Sequence, residues 1–129
     1  MAQVKVYGLR TALSANRDRW SALIHAALVD TLALPPEKKF QRFLPLEPED
    51  FLYPADRSPA YTIIEISMFA GRSQEAVKAL VKRIMADAQA SLGLSAPDIE
   101  ITVTETPRHC WGIRGKTGDE LALAYKVDV

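Results

Sequence analysis

The chain has 129 residues, about half of them apolar (48%) and a quarter charged (25%), with sixteen basic residues balanced by sixteen acidic ones. That size suits one ordinary domain, the composition excludes a disordered chain, and zero net charge argues against a nucleic-acid partner, which normally calls for a basic excess. The single Cys110 excludes an internal disulfide or cysteine-cluster metal site, no apolar run approaches the roughly 20 residues that span a bilayer, and the segment from Met1 to Arg10 lacks a signal-peptide layout, so a soluble cytoplasmic protein with no membrane contact is expected.

The first strand is predicted where Val4, Val6 and Gly8 alternate with Lys5, Tyr7 and Leu9. A helical stripe follows, made of Trp20, Leu23, Ile24, Ala27, Leu28 and Leu32, and Leu34-Pro35-Pro36 closes it because proline cannot continue a helix. A short strand is expected at about Phe40 to Leu44. The stretch from Pro45 to Ala60, rich in proline, acidic residues and aromatics (Phe51, Tyr53), reads as an ordered connector. From Tyr61 to Phe69 a second long strand sets Thr62, Ile64, Ile66 and Met68 against Ile63, Glu65, Ser67 and Phe69. Ser73 is a candidate N-cap with Glu75 in the first turn. The second stripe comprises Val77, Leu80, Val81, Ile84, Met85, Ala88 and Leu92, and Gly93 ends it. A last core strand spans Ile99 to Glu105. The remainder, from Thr106 to Val129, has three glycines and no sustained period, and reads as an extension that caps a neighbour or closes over a pocket.

The two halves look like copies of one unit. A shift of 60 positions carries Val4 to Ile64, Val6 to Ile66, Trp20 to Leu80, Ile24 to Ile84 and Leu32 to Leu92. The expected architecture is therefore α/β (α+β): tandem βαβ units in one mixed sheet with two helices on one face. One domain covers 1–129, with a first βαβ unit over 1–45, a connector over 46–60, a second unit over 61–105 and an extension over 106–129. Two folds remain open on this pattern, the ferredoxin-like sandwich, commonly a regulatory module, and the tautomerase fold. The sheet face away from the helices, carrying Tyr7, Leu9, Ile63 and Phe69, would be apolar and would call for association.

Several pieces in order resemble the tautomerase superfamily, in the long, duplicated form to which malonate semialdehyde decarboxylase belongs. They are a strand starting right after Met1, Leu34-Pro35-Pro36-Glu37 leading into Phe40-Gln41, and Glu49-Asp50-Phe51-Leu52-Tyr53-Pro54. Ala70-Gly71-Arg72-Ser73 at the second strand-to-helix junction and Trp111-Gly112 after the last core strand complete the set. The resemblance implies a homotrimer with inward-facing sheets and no cofactor. It also implies a small keto or enol carboxylic acid as substrate, gripped by arginine, and an N-terminal proline amine that moves a proton. Here that position holds Ala2. Removal of Met1 would leave a primary amine with a reference pKa of about 7.7–8.0. If Met1 stays, the amine moves by about 3.3–3.6 Å, enough to spoil catalytic geometry. The acidic position of the decarboxylase helix-end motif falls on Lys38, and of that group's paired arginines only Arg72 matches, Ala70 standing for the other.

The expected site is thus the Ala2 terminal amine as catalytic group, with Arg72, Lys38, Trp111 and Arg114 contacting substrate. The expected activity is a weak or altered keto-enol tautomerase, an isomerase. The rival is a non-catalytic homologue that keeps the trimer and the anion pocket. No metal is expected: His25 and His109 are isolated, and Cys110 reads as a structural thiol. Lys5 and Glu65, at equivalent positions in the two long strands, are expected to pair with each other or across a subunit boundary.

Overall fold

The computed structural model describes residues 2–122 and Val127. Retention of Met1 and the rest of the tail lie outside the described residues. Four long strands and two helices follow in the order β1 (Ala2–Leu9), α1 (Arg10–Leu32), β2 (Gln41–Leu46), β3 (Thr62–Phe69), α2 (Gln74–Leu92) and β4 (Ile99–Thr106). After them comes a small hairpin of β5 (Gly112–Ile113) and β6 (Lys116–Thr117). The long strands form one sheet ordered β2-β1-β3-β4, parallel within each βαβ unit and antiparallel between β1 and β3. In a ferredoxin-like split βαβ, another strand separates the two strands of a unit. Here they are direct neighbours, so that alternative is excluded.

The 60-residue relation persists in the pairing. Val4 faces Gln41 and Ile64 faces Ile101, the same offset of 37 positions in both units. Across the centre Val4 faces Ile66 and Val6 faces Ile64, with Lys5 opposite Glu65. A local twofold axis therefore passes between Lys5 and Glu65. Both helices also end alike, in a left-handed residue, Ala33 (φ 55°) and Gly93 (φ 66°). Where the copies differ is at their helix starts. Helix α1 begins directly after β1 with no side-chain cap, whereas Ala70-Gly71-Arg72 intervenes before α2 and Ser73 caps it, accepting from the Ala76 amide at 3.1 Å.

Both helices cover one face of the sheet. Ala2, Val4, Val6, Ile64, Ile66 and Met68 meet Trp20, Ile24, Ala27 and Leu32 of α1 and Leu80, Ile84 and Ala88 of α2 in one buried cluster. Each large side chain so buried contributes about 1.5–3 kcal/mol. Strand β2 runs two residues beyond the predicted Leu44, through Pro45 to Leu46. Proline is tolerated there because β2 is an edge strand, where a missing N–H breaks no ladder. The connector is ordered by stacked aromatics, with Phe51 and Tyr53 both against Tyr61 (ring centroids 5.5 and 5.6 Å). Its end is tied to β4 by the buried Asp98, which accepts from the Ser58 amide (2.8 Å) and from the Ser58 and Ser95 hydroxyls.

Two expectations about the open face need correction. Phe69 does not contribute to an exposed apolar surface; it is fully buried, because the tail folds over it. Trp111 meets its ring edge-on at 5.0 Å, and the Arg108 guanidinium lies 5.7 Å from its centroid. Arg108 is held by the Gly118 carbonyl (2.9 and 3.1 Å) and the Leu121 carbonyl (3.2 Å). The rest of the face is divided. Tyr7, Leu9 and Ile63 lie at one end, while Gln3, Lys5, Arg42, Glu65, Ser67, Thr102 and Thr104 line a polar depression at the other. Lys5 and Glu65 are cross-strand partners there but form no ion pair within the chain among the described residues. Glu65 instead sits by Tyr7, whose phenol its carboxylate pushes above the usual pKa, first by hydrogen bonding.

Candidate active site at the start of β1

Arg72 is the most unusual side chain of the molecule. It is only 6% exposed, yet it is an arginine. Its position follows from the junction. Strand β3 ends at Phe69, and the Ala70 amide continues the ladder by donating to the Thr106 carbonyl at 2.8 Å. Gly71 then adopts φ +126°, a conformation open in practice only to glycine, and the chain turns back before Ser73 starts α2. The turn brings the Arg72 guanidinium over the end of β3, where Nη1 donates to the Phe69 carbonyl at 2.9 Å. Nε and Nη2 have no partner among the described residues. These two N–H groups form one edge of the guanidinium plane, the edge that grips a carboxylate through two parallel bonds. Buried donors without a partner cost about 1–3 kcal/mol each, and more for a charged group. Burial drives the Arg72 pKa down, and only the charge of Glu105 opposes it. A bound anion removes both penalties.

Ala2 lies at the same corner. It is the Cα partner of Met68, one residue before the Phe69 whose carbonyl holds Arg72, and it is buried. The leading end of β1, the trailing end of β3 and the start of α2 therefore converge. Lys38 lies on the other flank of β1, half-buried in the turn after α1, with its amide donating to the Pro35 carbonyl at 3.0 Å. Two residues on, the Phe40 carbonyl accepts from the Val4 amide at 3.0 Å, which keeps this segment against β1. Lys39, Phe40 and Arg42 line an open groove there with Gln3.

Trp111, expected as a substrate contact, packs on Phe69 at the end of β3, which pairs with the leading end of β1. Arg114 sits at the tip of the small hairpin with φ 54°, followed by Gly115 at φ 78°, the paired positive angles of a type I′ turn. Among the described residues no hydrogen bond joins it to Arg72. His25 bonds the Pro36 carbonyl at 2.7 Å, and Cys110 is exposed. Among the described residues no three His, Cys, Asp or Glu side chains gather as a metal site, and no helix is long and apolar enough to cross a membrane.

Sequence reasoning passed over Glu105. Along β4 the helix-side face runs Ile99, Ile101, Val103 and then this carboxylate. The break in the apolar alternation was the available signal.

The family model described as "Tautomerase enzyme" matches residues 38–114. The chain belongs to the tautomerase family. Its fold is also shared by several solved structures. A malonate semialdehyde decarboxylase (FG41) inhibited by 3-bromopropiolate is 26% identical, with 94% of this chain and 98% of that one covered at a TM-score of 0.78. Native fused 4-OT is 19% identical, with coverages of 92% and 98% and a TM-score of 0.82. A fused 4-OT asymmetric trimer is 19% identical, with coverages of 91% and 96% and a TM-score of 0.79.

Proposed function

We propose that this tautomerase-family protein is a keto-enol tautomerase of weak or altered activity. It binds a small keto or enol carboxylic acid on Arg72, with the Ala2 amine, freed by removal of Met1, as the base. The observation that carries the reading is the buried Nε–Nη2 edge of Arg72, unpartnered among the described residues, at the corner where β1 starts. That edge fixes the carboxylate and draws electron density from the adjacent carbonyl, so the enol or enolate form is stabilised. A primary amine with a reference pKa of about 7.7–8.0 exchanges protons near neutrality. Without proline's ring it keeps more rotational freedom, which lowers the rate through poorer positioning. Lys38, Trp111 and Arg114 are proposed as secondary substrate contacts. The cytoplasm is the proposed location. The trimer among the fold's relatives supports a homotrimer, which would cover Tyr7, Leu9 and Ile63.

The decisive variant is Ala2→Pro. It should raise turnover of phenylenolpyruvate while circular dichroism stays unchanged, and intact-mass analysis should find Met1 removed. A second reading, a non-catalytic homologue with the anion pocket retained, is favoured by Ala2 and Lys38 standing where the family resemblance implies proline and an acidic residue. Retained Met1, or no gain in Ala2→Pro with the fold intact, would select it.

A further inference from the structure

Arg72 has a neighbour of opposite charge that proton transfer by Ala2 leaves without a role. Glu105 is the Cα partner of Met68, and Met68 of Ala2, so the three form one row across β4, β3 and β1 on the helix-covered face. Two strand spacings place Glu105 about 10 Å from Ala2. The Ala70-to-Thr106 hydrogen bond fastens this end of β4 to the junction that carries Arg72. Glu105 is exposed, and among the described residues it makes no ion pair. Its charge is nonetheless felt at Arg72. Among the described residues, the corner thus presents a buried cation with an unpartnered two-donor edge and, with no ion pair between them, a carboxylate.

An acid that docks its carboxylate on Nε and Nη2 brings its remaining atoms under the influence of Glu105. A second carboxylate there meets a like charge, which at several ångströms in a partly screened site weakens binding about tenfold. A hydroxyl or enol O–H meets an acceptor instead, and a charged acceptor makes the stronger kind of hydrogen bond. We infer that Glu105 sets the specificity of the Arg72 site, accepting a hydrogen bond from the hydroxyl or enol group of a monocarboxylate and rejecting dicarboxylates. This rests on the anion-binding reading of Arg72.

The test is a set of NMR titrations of the full-length protein with acetate, glycolate and malonate, following the Gly71 and Arg72 amides. The wild type should bind glycolate more tightly than acetate, and malonate more weakly. Glu105→Gln removes the charge and keeps an acceptor, so the malonate-to-acetate affinity ratio should rise about tenfold with the glycolate preference largely kept. Glu105→Ala should lose that preference as well. Because Glu105 is exposed, both variants should fold, and unchanged dispersion of the remaining amides checks this. If acetate and glycolate bind and are lost in Arg72→Gln, but Glu105→Gln leaves the ratios unchanged, the role of Glu105 is overturned and the anion site stands. If none of the three binds the wild type at these amides, both fail.

Discussion

Replacing Arg72 with methionine should stabilise the unliganded protein, although it deletes a buried residue of the proposed site. Methionine keeps the apolar stem of the side chain and ends about where Nε stands, short of the guanidinium. It removes two unpartnered donors, each costing about 1–3 kcal/mol where it lies buried, and more because the group is charged. Against this stands the loss of the single bond to the Phe69 carbonyl, a charge-assisted contact contributing about 1.5–3 kcal/mol. Near the middle of these ranges, and after the space vacated by the guanidinium is counted against it, the balance is a gain of about 1 kcal/mol for Arg72→Met. Anion binding acts in the opposite sense. At a carboxylate concentration 100 times its Kd, the wild type gains about 2.7 kcal/mol by mass action and the variant gains nothing. Urea unfolding at one fixed protomer concentration, with and without acetate, measures both quantities. The expected pattern is a crossing, with Arg72→Met ahead in plain buffer and the difference closed or reversed in saturating acetate. A variant less stable in both conditions, or a wild type indifferent to acetate, would refute the reasoning that the unpartnered edge binds an anion.

Three further substitutions follow from the geometry. Gly71→Ala forces a side chain onto φ +126°, costing about 1–3 kcal/mol and turning Arg72 away from β1, so acetate affinity should fall further than stability alone explains. Gly118→Ala sets a Cβ 2.6 Å from the Arg108 carbonyl and 3.0 Å from the Phe69 ring, so the tail should lift from Phe69 at a cost of about 1–3 kcal/mol, read as increased Trp111 exposure in fluorescence quenching. Asp98→Asn should flatten the acid limb of the stability curve. Burial pushes the Asp98 pKa up, but hydrogen bonds from Ser58 and Ser95 outweigh it and hold the folded value below the ordinary carboxylate range. A depressed folded pKa means that this stabilisation is complete above the unfolded value near 3.9 and is lost as pH falls through the folded one. Acid titration of wild type and variant by circular dichroism should therefore diverge above about pH 4 and converge below it.

The parts of the fold carried by periodicity were legible in the amino-acid order. Val4 and Val6 against Ile64 and Ile66 announced both the duplication and the buried face, and the equal strand offsets show why. Two copies of one pattern pack the same way when each must hide the same stripe. Ser73 and Gly93 were legible because capping is local chemistry. The tail was not. Its hairpin turns on Arg114-Gly115, a weaker signal than Asn-Gly, and its strands are two residues each, too short for alternation to register. The misreading of Phe69 followed, since its cover consists of Arg108, Trp111 and Gly118, distant in sequence and without period.

The site was legible only in outline. Arg72 beside Ser73 suggested a cation at a helix start, but burial of its guanidinium and the loss of partners for two of its nitrogens depend on how Gly71 turns the chain. Glu105 escaped notice because a charged residue near a strand end is ordinarily solvated. Its meaning comes from the register that sets it in line with Met68 and Ala2.

The most direct measurement is a crystal structure of the protein, with Met1 removed, bound to glycolate. The carboxylate oxygens should lie within hydrogen-bond distance of Arg72 Nε and Nη2, with the carbinol carbon facing the nitrogen of residue 2. Glycolate bound elsewhere, or an Arg72 edge sealed by the protein's own groups and closed to residue 2, would contradict the account.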